Sequence, residues 1–251
     1  MRVAIITGAA QGIGRRTTEL FAEAGYAVAL IDRQPCALVA PNADREELIG
    51  DITDDAFVEE CVERVRVRWG QADVLVNNAG ISFIAPAETV NGDDFRHVLE
   101  VNLVAPFLLS RGFGAMMLER RSGSIVNIAS IAGLTGVGDR SAYNASKHGL
   151  VGLTRTLAAE WGGRGVRCNA VCPGWVKTEM DHVDQASAAY TDDDIIDRVP
   201  MARFATPDDI ARAVLFLADP VQSGFINGHT LAVDGGWTAD GSWQSLRLQH
   251  R

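Results

Sequence analysis

The sequence has no C-x-x-C pair, no excess of basic residues and few histidines. Cys36, Cys61, Cys168 and Cys172 form no C-x-x-C, and no histidine stands near them at ligand spacing. Cys168 and Cys172 are four apart, but Val171 and Pro173 around the second read as a strand end. His97, His148 and His182 are too scattered to share an ion. No metal is expected, and four reduced thiols fit the cytoplasm. The formal net charge is −9, which argues against a nucleic-acid partner, because phosphate binding needs a basic face. The N-terminal apolar stretch stops at Gly8, too soon for a secretory segment. No run of residues approaches membrane-spanning length, so no membrane partner is expected.

What is present is an alternation of short β-branched runs and longer helical patterns over 251 residues, a length that suits one α/β domain with a sizeable core. Strands are expected at Arg2–Thr7, Tyr26–Ile31, Glu47–Asp51, Ala72–Val76, Ser124–Ala129, Val166–Val171 and Thr230–Val233. Helices are expected at 12–24, Phe57–Trp69, 93–118, Ala142–Trp161 and Pro207–Leu217. Repeated β-α units with apolar strands predict a parallel sheet covered by helices on both faces. No repeat or linker divides residues 1–251, so a single domain is expected. The stretch 174–205 is the least regular, and a long irregular segment of this kind suits a lid over a site.

Tyr143 and Lys147 carry the chemistry. Their spacing places both on one face of a helix, one turn apart. A phenol titrates near pH ~10, too high for a base at neutrality. A neighbouring ammonium favours the phenolate, so the pair suits proton transfer to or from an alcohol. Ser130, thirteen residues upstream, supplies a hydroxyl for the reacting oxygen.

A glycine-rich turn, Thr7-Gly-Ala-Ala-Gln-Gly-Ile-Gly14, lies between the first strand and the first helix. Small residues there let a pyrophosphate approach the backbone at a helix N-terminus. The spacing is Gly-x-x-x-Gly-x-Gly rather than Gly-x-Gly-x-x-Gly. Asp32 ends the second strand, twenty residues after Gly12, where a carboxylate binds ribose hydroxyls and repels a 2′-phosphate. Gln11 is not basic and offers no phosphate clamp. Arg33 pairs with a 2′-phosphate only if Asp32 turns away, and otherwise reads as a solvated surface residue. NAD is expected over NADP.

These pieces, with Asp51, Asn77-Asn-Ala-Gly80, Asn102, Pro173-Gly174 and Val233-Asp-Gly-Gly236 in order, make the chain resemble the classical short-chain dehydrogenase/reductase family over nearly its whole length. The resemblance implies a Rossmann-type doubly wound sheet of seven parallel strands in the order 3-2-1-4-5-6-7. It implies a catalytic set of Asn102, Ser130, Tyr143 and Lys147, with Tyr143 and Lys147 also touching the cofactor. Gly8, Gln11, Gly12, Ile13, Gly14, Asp32 and Arg33 fall at the expected adenosine and pyrophosphate contacts. Asp51 and Ile52 are expected to flank the adenine, and Asn78, Ala79 and Gly80 to line the cleft. Pro173, Gly174, Val176 and Thr178 are expected at the nicotinamide end. A homotetramer is implied, with the helices holding Asn102 and Tyr143 against a neighbour.

Two departures stand out. The segment from Asp32 to Asp51 is short, so the helix after the second strand is expected to shrink to a turn around Pro35–Asn42. The tail 237–251 runs long, with Trp237 and Trp243 expected at a subunit contact or near a pocket. The expected activity is NAD-dependent hydride transfer between a secondary alcohol (sugar, polyol or other small hydroxylated compound) and the nicotinamide. The alternative is a 3-oxoacyl-[acyl-carrier-protein] reductase, for which Arg121 and Arg164 hold the expected basic positions. A non-catalytic dinucleotide-sensing scaffold is the third reading, against which the complete Asn-Ser-Tyr-Lys set counts.

Overall fold

The computed structural model describes residues 1–36, 43–178 and 191–242. Its centre is a seven-stranded parallel sheet in the order β3-β2-β1-β4-β5-β6-β7, the order implied by the resemblance. The strands are β1 (Val3–Thr7), β2 (Ala27–Asp32), β3 (Arg45–Ile49), β4 (Val74–Asn77), β5 (Gly123–Ile128), β6 (Val166–Pro173) and β7 (Thr230–Val233). Every residue of β1 is buried, as expected of a strand covered on both faces.

Alternate side chains feed two cores, because neighbouring strand residues point to opposite faces. Val3 and Ile5 join the core that holds Phe113, Met116 and Met117. Ala4 and Ile6 join the one that holds Phe21, Ile210, Val214 and Leu217. The helices over the first core are α2 (Asp55–Trp69), α4 (Ala105–Arg120) and α5 (Ser141–Trp161), and those over the second are α1 (Gly12–Glu23) and a later helix, Pro207–Ala218.

The expected helix at 93–118 is in fact three segments. α3 (Gly92–Leu99) runs into a π-helical turn at Glu100–Val104, and α4 follows. The Ala105 amide donates to the Glu100 carbonyl, five residues back. A sequence pattern has no signal for one extra residue in a turn, and such π-turns concentrate at functional sites. The continuous helix Gly92–Arg120 spans 29 residues with a mean hydropathy of 1.4 in its most apolar window. By length and composition alone it is long and apolar enough to cross a membrane, which corrects the expectation that nothing here approaches that length. Its apolar side chains Leu109, Phe113 and Met117 are fully buried against the sheet.

The third strand sits two residues earlier than expected, at Arg45–Ile49, because Val28 to Asp32 of β2 pair in register with it. The stretch 174–205 is less irregular than its sequence suggests. It contains a helix, α6 (Asp192–Arg198), whose acidic run forms its first turn behind a Thr191–Asp194 capping box. The helix Pro207–Ala218, α7, starts with a Thr206–Asp209 box of the same kind. A short α8 (Pro220–Ser223) completes the set. Trp237 packs under the Arg198 guanidinium, 4.8 Å from ring to charge, within the chain. Trp243, most of the proposed turn at Pro35–Asn42, and Met180, His182 and Tyr190 of the expected lid lie outside the described residues.

Candidate active site

A single cleft runs across the C-terminal ends of the strands, from Asp32 and Asp51 at one end to Ser130 and Tyr143 at the other. This is where ligands bind in open α/β sheets, at the switch of strand order. Of the residues anticipated from the sequence, Gly8, Gln11, Gly12, Ile13, Asp32, Arg33, Asp51 and Ile52 line one half. Asn78, Ala79 and Gly80 line the middle. Ser130, Tyr143, Lys147, Pro173, Gly174, Val176 and Thr178 line the other half. Gly14 and Asn102 stand behind this lining.

The glycine turn fits a dinucleotide. Gly8 has φ +65°, and a Cβ on Gly14 would lie 1.9 Å from the Gly8 carbonyl oxygen. No side chain fits between β1 and α1, so the loop stays thin enough for backbone approach. The first turn of α1 has no acidic residue and no side-chain cap, which leaves its N–H groups and positive dipole end for an anion. Asn78 staples the turn to β4 by donating from Nδ2 to the Thr7 and Gly8 carbonyls at 2.9 and 3.1 Å.

At the adenine end, the Asp32 carboxylate accepts from the Ala10 and Gln34 amides, both at 3.0 Å. Its oxygens are thereby fixed at the cleft wall with lone pairs left for hydroxyl donors. Arg33 lies 3.7 Å from Asp51, with most of its side chain in solvent. Asp51 is held below the usual carboxylate range, first by the Thr53 amide, with Arg33 contributing.

At the opposite end, Tyr143 sits in the first turn of α5 and Lys147 one turn later, as their spacing predicts. The Lys147 ammonium lies 5.5 Å from the Tyr143 ring centre and donates to the Ile128 carbonyl at 2.8 Å. Lys147 is only 4% exposed, so it is no solvated surface charge. Burial pulls its pKa down from the ordinary lysine value to about 8. Gly80 lies between this lysine and Asn102: a Cβ there would meet Nζ at an ordinary 3.5 Å but crowd Asn102 Oδ1 at 3.1 Å. Ser130, also buried, caps a short turn by accepting from the Ala132 amide at 3.1 Å.

Asn102 is fully buried in the π-turn. Its Oδ1 accepts from the Ile81 amide and its Nδ2 donates to the Ile81 carbonyl, both at 2.9 Å. The side chain thus ties the π-turn to the loop after β4. Its bonds to Ile81 and Ser146 offset the cost an asparagine carries in a helix interior.

Several residues escape sequence reasoning. Ser146 accepts from Asn102 Nδ2 at 3.1 Å and donates to the Tyr143 carbonyl at 2.8 Å, joining two members of the set. Asn77 is no turn residue: its Nδ2 donates to Asn127 Oδ1 at 2.8 Å, and Asn127 Nδ2 donates to Thr154 at 2.9 Å. This buried chain crosses β4, β5 and α5 beneath the site. Trp175 and Arg140 line the catalytic half beside Tyr143. The one available signal was that Trp175 falls inside the Pro173–Val176 stretch. Asp234 organises the turn after β7: burial pushes its carboxyl up, but hydrogen bonds from Thr238 and Gly236 outweigh this and hold it below the usual range. Arg121 and Arg164 are exposed at the N-terminal ends of β5 and β6, the sheet edge opposite the cleft.

A family model described as enoyl-(acyl carrier protein) reductase matches residues 8–238. The chain is 40% identical to D-threitol dehydrogenase of Mycolicibacterium smegmatis, over 94% of this chain and 93% of that one. It is 38% identical to the 3-oxoacyl-[acyl-carrier-protein] reductase FabG of Thermotoga maritima, over 94% of this chain and 97% of that one. Among solved structures, ElxO with NADP bound superposes with a TM-score of 0.87 at 30% identity, covering 95% of this chain and 99% of that one. Matching strand order, the motifs at both ends of the cleft and relatives aligned along almost their full length agree: the chain belongs to the classical short-chain dehydrogenase/reductase family.

Proposed function

We propose that the protein oxidises a secondary alcohol of a sugar, polyol or other small hydroxylated compound, or reduces the matching ketone, and that it prefers NAD to NADP. The coarser statement, an NAD(P)-dependent oxidoreductase acting on CH–OH groups, follows from its family and relatives. One observation carries the finer reading. The Tyr143 phenol and the Lys147 ammonium stand together with Ser130 at the far end of a cleft whose other end is the glycine turn.

In this reading the Ser130 hydroxyl holds the substrate oxygen. Tyr143 takes the alcohol proton as base, or returns it in reduction. Lys147 favours the phenolate and grips the ribose next to the nicotinamide. Asn102, locked to Ile81, keeps a water in the proton path. The cofactor supplies the hydride acceptor or donor, and the protein orients it. The relative named for threitol supports a polyol. The relative named for 3-oxoacyl reduction supports the alternative, although Arg121 and Arg164 lie away from the cleft. An intact proton-transfer set disfavours the sensing scaffold.

The NAD preference rests on the Asp32 carboxylate fixed at the adenosine wall and on Arg33 already beside Asp51. A related fold with NADP bound makes this the point most in need of measurement. We also read the protein as a cytoplasmic homotetramer, with Val104 and Phe107, both part-exposed, at a subunit contact beside Asn102. The four free thiols suit a reducing compartment.

Replacing Tyr143 with Phe should lower turnover by at least about 10²-fold, the scale of lost acid–base catalysis, with cofactor affinity nearly intact. Near-wild-type turnover in a screen of polyols and secondary alcohols ends the proposal. Fluorescence titration should show NAD binding more tightly than NADP, and Asp32→Ala should narrow that gap. Equal affinities in the wild type overturn the preference. Sedimentation equilibrium should give four times the chain mass, and a monomer would refute the assembly.

Lys147 also has a pH signature. Its ordinary value is 10.5 and its folded, ligand-free value about 8. Below about 8 the folded chain must bear a buried ammonium and the penalty is complete. As pH climbs from there to 10.5, the unfolded chain still binds a proton the folded one has shed, and the penalty fades. Wild-type stability should therefore rise relative to Lys147→Met across that window. A flat difference in urea midpoints would contradict the assignment.

A further inference from the structure

We propose that the catalytic half of the cleft contains an anion subsite, in which Arg140 backed by Trp175 binds a carboxylate of the substrate next to the hydroxyl that Tyr143 works on. The favoured substrates are then hydroxy acids and sugar acids rather than neutral polyols. The proposal rests on the alcohol-oxidoreductase reading above and narrows its substrate class.

Arg140 immediately precedes α5 and stands three residues before Tyr143, so both belong to the first turn and its entry. Both line the cleft. Arg140 is 9% exposed, which is rare for an arginine without a charged task. Its backbone is pinned on both sides. The preceding Asp139 adopts φ +58° and accepts from the Ala85 amide at 2.9 Å. Arg140 itself bridges to Ala85, and its carbonyl accepts from the Asn144 amide at 2.8 Å.

The side chain is ordered too. Its guanidinium carbon lies 5.4 Å from the Trp175 ring centre, a cation–π distance. Trp175 is fixed in turn, because its carbonyl accepts from the Ala205 amide at 2.9 Å. A stacked guanidinium loses little further freedom on binding a planar oxyanion. It has five N–H donors in a fork, enough to keep a protein partner and still meet a carboxylate.

Charge along the cleft is unevenly distributed, with Arg33 standing beside the carboxylates at the adenine end. Among the described residues that line it, the carboxylates, Asp32 and Asp51, are both at the adenine end. The catalytic end carries Arg140 and Lys147, and the first turn of α5 has no acidic residue. The wall between them is apolar, with Ile81, Ile131, Ala132 and Val137. Low polarity strengthens a charge-assisted hydrogen bond and penalises an unmatched charge. A neutral polyol offers Arg140 only uncharged acceptors, whereas a carboxylate offers two anionic oxygens in a bidentate pair.

The test uses matched pairs at equal ionic strength: gluconate against glucitol, and 3-hydroxybutyrate against butane-1,3-diol. Thermal shift of the cofactor-free protein reads binding without turnover. The acid of at least one pair should raise the midpoint more than its neutral partner in the wild type. That margin should vanish in Arg140→Gln and survive in part in Arg140→Lys. With NAD present, the ratio of kcat/KM for acid over neutral partner should fall at least about tenfold in Arg140→Gln, the scale of one charge-assisted pair. Equal shifts for acid and neutral partner in both wild-type pairs overturn the proposal without any variant. A margin that persists in a folded Arg140→Gln protein overturns it as well. Turnover of neutral alcohols with no acid margin sinks the subsite and leaves the alcohol reading standing. Acid binding without turnover of any alcohol does the reverse.

Discussion

A buried ammonium is the constraint around which the active site is arranged. Lys147 has been taken out of water at the C-terminal edge of the sheet, and such a group is tolerated only where its donors are satisfied. The Ile128 carbonyl at the end of β5 accepts one of its protons. The glycine at position 80 lets Asn102 approach closely beside it, since a Cβ there would come within 3.1 Å of Oδ1. Asn102 next to it is turned into place by the π-turn and held by Ile81. The end of β5, the loop after β4 and the π-turn therefore meet beside α5. The lowered pKa, about 8, follows directly from the loss of water.

How much of this is legible in the sequence depends on whether the information is local. The sheet is legible because each strand is a short β-branched run and each crossover a helical period, and right-handed β-α-β units leave few ways to order them. The Tyr143–Lys147 juxtaposition is legible because four residues make one turn. Asn102 is legible only as an anomaly, a polar residue in an apolar helix. Its partners from the π-turn are Ile81 and Ser146, neither of which a periodicity reports. Ser146 looks like any small helix residue, and its hydrogen bond to Asn102 spans 44 positions. The acidic run Asp192–Asp194 forms the first turn of α6, a helix too short for apolar periodicity to emerge. Arg140 is the clearest case of position over pattern. Nothing in Asp-Arg-Ser-Ala-Tyr says that the arginine turns inward rather than into solvent, and only its stacking on Trp175 does.

Beneath the cleft, the chain Asn77–Asn127–Thr154 joins two strands and α5 by side-chain hydrogen bonds in a place where apolar packing would suffice for stability. Amide-to-amide bonds are directional, and a slip of one strand past another would leave several buried groups unpaired. The network fixes the register of the strand ends that carry Ile128, Asn78 and Ser130, and so the spacing of the groups above them.

The outer edge at β3 has a consequence for how the molecule meets its own kind. Glu46 pairs with Arg64 and Arg68 of α2, and Asp44 accepts from Arg68 and from the Trp69 indole. The rim strand is thus clamped backward onto a helix and studded with ions. A stray strand arriving there would have to strip these charges of water to continue the ladder. Such a border resists fibril-like growth and leaves lateral recognition to helix surfaces, which carry shape as well as apolar area.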